Sequence, residues 1–121
     1  MNQHDKLLER IVNRLDNSLD YKYVLKNINY DFFKGNKLFH NSKRLASEID
    51  IVALKEVKSK DYWLVFEIKS EDKTKYRYKS YKQLAKHKEA FGDKVDKMYE
   101  FLVVPDKNKK GYKVEWVKWL N

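Results

Sequence analysis

The chain has no cysteine, one proline and only three glycines in 121 residues. Without thiols there is no disulfide, no thiolate zinc centre and no cysteine nucleophile, so any metal must sit on oxygen or imidazole ligands. Gly35, Gly92 and Gly111 are scattered and form no phosphate-cradling loop. No stretch approaches the roughly 18 to 20 apolar residues of a membrane span, and the opening "MNQHDKLLER" lacks the apolar centre of a secretory signal. These absences predict a cytoplasmic protein with no membrane partner. A Ser-His-Asp hydrolase lacks support, because no nucleophile elbow occurs. His4, His40 and His87 have neither helical nor hairpin ligand spacing and read as surface or packing residues.

What is present argues for a folded, basic domain. Hydrophobic residues make up 42% and aromatics 15%, enough to offset the entropy of ordering although 37% of residues are charged. The length suits a single domain over residues 1–121. With 27 Lys plus Arg against 18 Asp plus Glu, the net charge of +9 favours a polyanionic partner, nucleic acid before lipid.

Residues 5 to about 19 place Leu7, Leu8, Ile11, Val12 and Leu15 on one stripe and predict an amphipathic helix. "YKYVLKNINYDFF", residues 21–33, predicts one strand or two short ones, and the polar "KGNKLFHNSKRLAS", residues 34–47, a loop. A ribbon follows over residues 47–70. A second helix is predicted from about Tyr78, with Tyr81, Leu84, Ala85, Lys88 and Phe91 on one side and Gly92 as its stop. "KMYEFLVVPD" and "GYKVEWVKWL" predict two closing strands around the turn "DKNKKG". Helix, strands, helix, strands implies an α/β fold, a mixed central sheet flanked by helices.

The ribbon "SEIDIVALKEVKSKDYWLVFEIKS" carries charges inside apolar strands. A turn through Val57 to Lys60 pairs Leu54 with Trp63 and Val52 with Val65; the same register then sets Asp50 against Glu67 and Glu48 against Lys69. Alternation sends these four charged residues to one face and Ile49, Ile51, Ala53, Leu64, Phe66 and Ile68 to the other. Carboxylates directly across a ribbon lie about 4.5–5.5 Å apart and repel by up to a few kcal/mol. Lys69 offsets part of this, and a hard divalent cation such as Mg²⁺ offsets it directly. The bland alternative is a Glu48–Lys69 ion pair with Asp50 and Glu67 solvated at a strand end.

"EID" at 48–50 followed by "FEIKS" at 66–70 resembles the signature of the PD-(D/E)XK nuclease superfamily, with Ile49 standing where the motif has proline. Within it, "SKR" at 42–44, "DIVALK" at 50–55 and "YKQLAKHKEAF" at 81–91 resemble archaeal-type Holliday junction resolvases. The resemblance implies a restriction-endonuclease-like core. It implies Asp50 and Glu67 as ligands of Mg²⁺, for which Mn²⁺ can substitute, with Glu9 completing the shell. Lys69 would orient or activate the attacking water, Gln83 would approach the phosphate and Ser42 would contact it. The expected function is a structure-selective DNA endonuclease acting on four-way junctions as a homodimer. A nuclease for linear DNA and a non-catalytic DNA-binding module are the alternatives.

Lys43, Arg44, Lys73, Lys75, Arg77, Lys79 and Lys82 flank this site in sequence and are the expected phosphate contacts. Tyr76, Tyr78 and Tyr81 interleave with them. Tyr81 is expected to pack, whereas Tyr76 and Tyr78 are open to packing or base stacking. Trp116, Trp119 and Leu120 are the candidate dimer contacts, with closure of the core as the alternative for Trp119.

Overall fold

A computed structural model describes residues 2–28, 49–93, 95–106 and 111–118. Helix α1 (Gln3–Asn17) starts where the Asn2 side chain accepts a 2.8 Å hydrogen bond from the Asp5 amide. Its buried stripe is Leu7, Leu8, Ile11 and Val12. Strand β1 (Tyr23–Ile28) is the described part of the first β region. Residues 29–48, with Ser42, Lys43, Arg44 and Glu48, lie outside the described residues.

The ribbon is an antiparallel pair, β2 (Ile49–Val57) and β3 (Lys60–Ile68), in the register expected from its sequence: Val52 with Val65, Leu54 with Trp63, Glu56 with Asp61. Lys58 and Ser59 turn the chain with φ of 51° and 65°, the left-handed pair that matches a two-residue hairpin to strand twist. Pairing between β2 and β3 ends at Ile51 and Phe66. Asp50 and Glu67 therefore sit just past the ladder.

Helix α2 (Thr74–Phe91) begins four residues before the expected Tyr78 and ends at Gly92, whose N–H reaches the Lys88 carbonyl at 2.7 Å. Gly92 has ordinary helical φ; its necessity is steric, since an added Cβ would lie 2.5 Å from the Lys88 carbonyl oxygen. The buried stripe of α2 is Ser80, Leu84, His87 and Phe91. Tyr81, Ala85 and Lys88, expected beside Leu84 and Phe91, are exposed instead. Hydropathy misassigns them because a serine and a histidine hold the inward positions.

Strands β4 (Lys97–Asp106) and β5 (Gly111–Val117) close a mixed sheet of order β1-β2-β3-β4-β5, parallel only between β3 and β4, which α2 connects. The two helices pack on opposite faces. On the α1 face Leu8 and Ile11 meet Ile51, Ala53, Ile68 and Val103; on the α2 face Leu84 and Phe91 meet Val52, Trp63 and Val65. Burying each such side chain contributes about 1.5–3 kcal/mol.

Alternation and register also sort the strand charges. The α2 face receives Asp50, Glu56, Asp61, Glu67, Glu100, Asp106 and Glu115, with Lys113. The α1 face receives Lys26, Lys55, Lys60 and Lys97 and, among the described strand residues, no acid. None of the described helices is long and apolar enough to cross a membrane.

Candidate active site

Where β2 and β3 part, a cavity of about 360 Å³ opens between the strand ends and α2, lined by His4, Asp50, Glu67, Ile68, Lys69, Ser70, Tyr76, Lys79 and Gln83. Tyr76, Lys79 and Gln83 share one side of α2, at spacings of three and four residues. Asp50, Glu67, Lys69 and Gln83, the four expected catalytic positions, all reach this space.

Each side chain is held. Asp50 is 8% exposed, and its Oδ2 accepts the Ile68 amide at 2.8 Å, so the carboxylate takes a bond that a ladder partner would otherwise supply. Glu67 is 3% exposed, with Oε1 2.8 Å from Nε2 of His87, itself buried between α2 and the sheet. Lys69 places its ammonium 3.3 Å from the Gln83 side-chain oxygen.

The electrostatics follow from this crowding. Burial first, and the neighbouring Asp50 charge second, hold the Glu67 carboxyl well above its usual range; Lys69 acts in the opposite sense. Asp50 and Glu67 are within hydrogen-bonding reach of each other, and Glu100 on β4 adds further negative potential. His87 is pushed down to about 4 by burial. A neutral imidazole results, able to donate to the ionised Glu67 or accept from its acid form.

Two oxygen ligands with excess negative potential, open to a polar cavity, suit Mg²⁺ or Mn²⁺, which retain water and accept phosphate oxygens in their remaining positions. Among the described residues, no cluster of three or more His, Cys, Asp or Glu side chains has a geometry that would hold an ion alone. Solvent and substrate would complete such a shell.

Other expected residues fall elsewhere. Glu9 pairs with Lys26 at 2.6 Å and does not line the cavity. The reason is positional: α1 lies on the opposite face, so only its first turn comes round the strand ends. That turn supplies His4, whose Nε2 is 3.5 Å from Asp50 Oδ2 and whose pKa is raised chiefly by that contact. Arg77 is committed to the fold, with 2.6 and 2.9 Å bonds to Glu115 on β5 and a second pairing to Asp72. Lys79 enters the cavity wall. Lys73 and Lys75 hold their ammoniums 5.9 and 5.0 Å from the Tyr76 ring, and Lys82 lies 4.7 Å from that of exposed Tyr78. Tyr81, expected to pack, is 36% exposed.

His4 and His87 are the functional candidates that sequence spacing missed. His87 had a signal, since it aligns on α2 with Gln83 and Tyr76; His4 had none. No family model, curated protein or solved structure matches the chain.

Proposed function

We propose that the protein is a divalent-metal-dependent nuclease of the PD-(D/E)XK type that hydrolyses phosphodiester bonds in branched DNA. One observation carries the reading: two buried carboxylates and a lysine, from adjacent strand ends, share an open cavity whose far wall is a lysine-rich helix. A purely structural Asp-Glu-Lys cluster has no need of an open cavity, and a restriction-endonuclease-like core accounts for the mixed sheet with a helix on each face.

In this reading Asp50 and Glu67 hold Mg²⁺, with Mn²⁺ as a substitute, which supplies Lewis acidity toward the phosphate and lowers the pKa of the attacking water. The Ile68 amide and His87 fix the two carboxylates, so the protein spends no reorganisation at the moment of reaction. Gln83 steers the Lys69 ammonium toward the negative charge that develops on phosphorus-bound oxygen. Lys79, with Lys73, Lys75 and Lys82 along the same helix, draws in the flanking phosphates without reading sequence. Action on four-way junctions by a homodimer is the finer part of the proposal, because paired strand cuts require two sites related by symmetry.

The test compares cleavage of a labelled four-way junction and a duplex of identical arms, with Mg²⁺, Mn²⁺ or EDTA, for wild type and Asp50→Asn. Metal-dependent cutting of the junction, absent in the variant, is the expected result. Equal rates on both substrates would remove the junction preference and leave a nuclease for linear DNA. Binding without cutting in either metal would leave a DNA-binding module.

A further inference from the structure

On the α1 face the helix covers only part of the sheet. Leu64, Phe101 and Val114 line a cavity beside Leu15 of α1, and Tyr62, Tyr99 and Trp116 continue the same sheet face past the helix as an open shelf. Its rings form a connected array: Tyr62 and Tyr99 are 6.2 Å apart, and Tyr99 meets the edge of Trp116 at 5.9 Å. Trp116 is 52% exposed and Val114 46%, unusual for large apolar side chains at neighbouring positions. The charged strand residues around this shelf are Lys55, Lys60 and Lys97; Lys118 follows β5 with its ammonium 4.3 Å over the Trp116 ring, and Asp96, just before β4, lines the same edge with its carboxylate accepting the Asp61 amide at 2.7 Å.

We propose that this shelf binds single-stranded DNA, its unstacked bases lying on Trp116 and Tyr99 and its phosphates meeting Lys97, Lys60 and Lys118. Charge decides the occupant. A second copy seated by two-fold symmetry would set Lys55, Lys60, Lys97 and Lys118 against their own copies with Asp96 as the acid beside them, and the excess of like charge repels. A polyanion with flat apolar faces complements both features, since every base offers a π-face and every linkage a phosphate. Lys118 already occupies the position of a cation over the ring and is free to swing to a phosphate when a base replaces it. The site lies on the opposite sheet face and at the opposite strand ends from the Asp50–Glu67 cavity, so it stands whether or not that cavity cleaves DNA.

The test measures binding of a (dT)20 strand and of a 20-base-pair duplex in EDTA by fluorescence anisotropy, with circular dichroism as the folding control. Trp116→Ala should weaken single-strand binding about 5- to 150-fold, the loss of one base–aromatic stack, and leave duplex binding unchanged. Trp116→Phe should retain most of the affinity and Trp116→Leu should not, because leucine keeps apolar bulk without a π-face. Lys97→Glu, an exposed change that spares the core, should make the salt dependence of single-strand binding shallower. Unchanged affinity in Trp116→Ala, equal losses on strand and duplex, or equal behaviour of the Phe and Leu variants would overturn the proposal. So would a wild-type dimer that Trp116→Ala converts to monomer in sedimentation, which would assign the shelf to a second copy.

Discussion

Replacing Glu67 by glutamine is expected to stabilise the protein in the absence of divalent cations while abolishing metal-dependent activity. The glutamine amide satisfies the same neighbours, its oxygen accepting from His87 Nε2–H and its NH₂ donating to Asp50, so no buried group loses its partner. What disappears is a charge opposed by burial and by Asp50. Two carboxylates as close as Asp50 and Glu67 repel by a few kcal/mol at an effective dielectric of about 20. Lys69 cancels part of that, leaving a net gain of about 1–3 kcal/mol, or about 3–10 °C in Tm for a chain of this size. The sign with pH is fixed. The folded carboxyl titrates above its unfolded value of 4.5, so the cost of Glu67 is absent in acid and grows as pH rises from 4.5 through the raised folded value. The stability gap between Glu67→Gln and wild type should therefore be small at pH 4 and open toward pH 8 in EDTA. Mg²⁺ should then reverse the order, raising the Tm of wild type by mass action and leaving the variant unmoved. A Glu67→Gln protein less stable than wild type at pH 8 in EDTA would refute the reasoning, because it would mean the carboxylate is fully compensated within the fold.

Three further outcomes test the surrounding structure. Lys73 caps α2 in extended geometry without a side-chain bond, and the first turn has no acid, so Lys73→Ser should stabilise by about 1 kcal/mol in thermal melts while weakening DNA binding. Gly92→Ala drives a Cβ against the Lys88 carbonyl and should cost about 1–3 kcal/mol by urea denaturation, despite the permissive φ. The Arg77 hydrogen bond holds Glu115 below its usual 4.5, so its stabilisation is complete above that value and fades as pH falls through the lowered one; the urea-midpoint gap between wild type and Glu115→Gln should be flat above about pH 5.5 and close in acid.

The ribbon was legible because two local signals agree. Lys58 and Ser59 are polar residues between apolar strands, and only one register lets Ile51, Ala53, Phe66 and Ile68 share a face. Asp50, Glu67 and Lys69 follow from that register, and their meeting with Gln83 needed only a helix packed across the strand ends. The limits of β4 and the start of β5 were equally plain, with apolar runs on either side of a polar turn, whereas β5 stops at Val117, short of the expected "GYKVEWVKWL". The start of α2 was hidden because Lys73 gives no capping signal and the first turn is basic. His87 was left between surface and packing because a buried histidine and a surface one are indistinguishable until a carboxylate is placed beside it. Glu9 against His4 depended on which face α1 covers. Helical periodicity gives the stripe that packs but not the layer it packs on, and 1.5 Å of rise per residue puts Glu9 about 7.5 Å further along the axis than His4.

The end of the β2–β3 ladder explains why the site is built there and how it must be probed. Past Ile51 and Phe66 the strands separate, and the Ile68 amide would be orphaned without the Asp50 carboxylate. Asp50 is thus a structural acceptor and a candidate ligand at once. Asp50→Ala removes both roles, leaves a buried N–H without its partner, and should cost about 1–3 kcal/mol, so a loss of cleavage in that variant mixes two causes. Asp50→Asn separates them: its side-chain oxygen can still accept from Ile68, while the charge that attracts a cation is gone. The expected pattern is near-native urea stability for Asp50→Asn, a clear deficit for Asp50→Ala, and loss of Mg²⁺-induced stabilisation in both. If Asp50→Asn kept the wild-type response to Mg²⁺, the Asp50 charge would have no part in holding the ion.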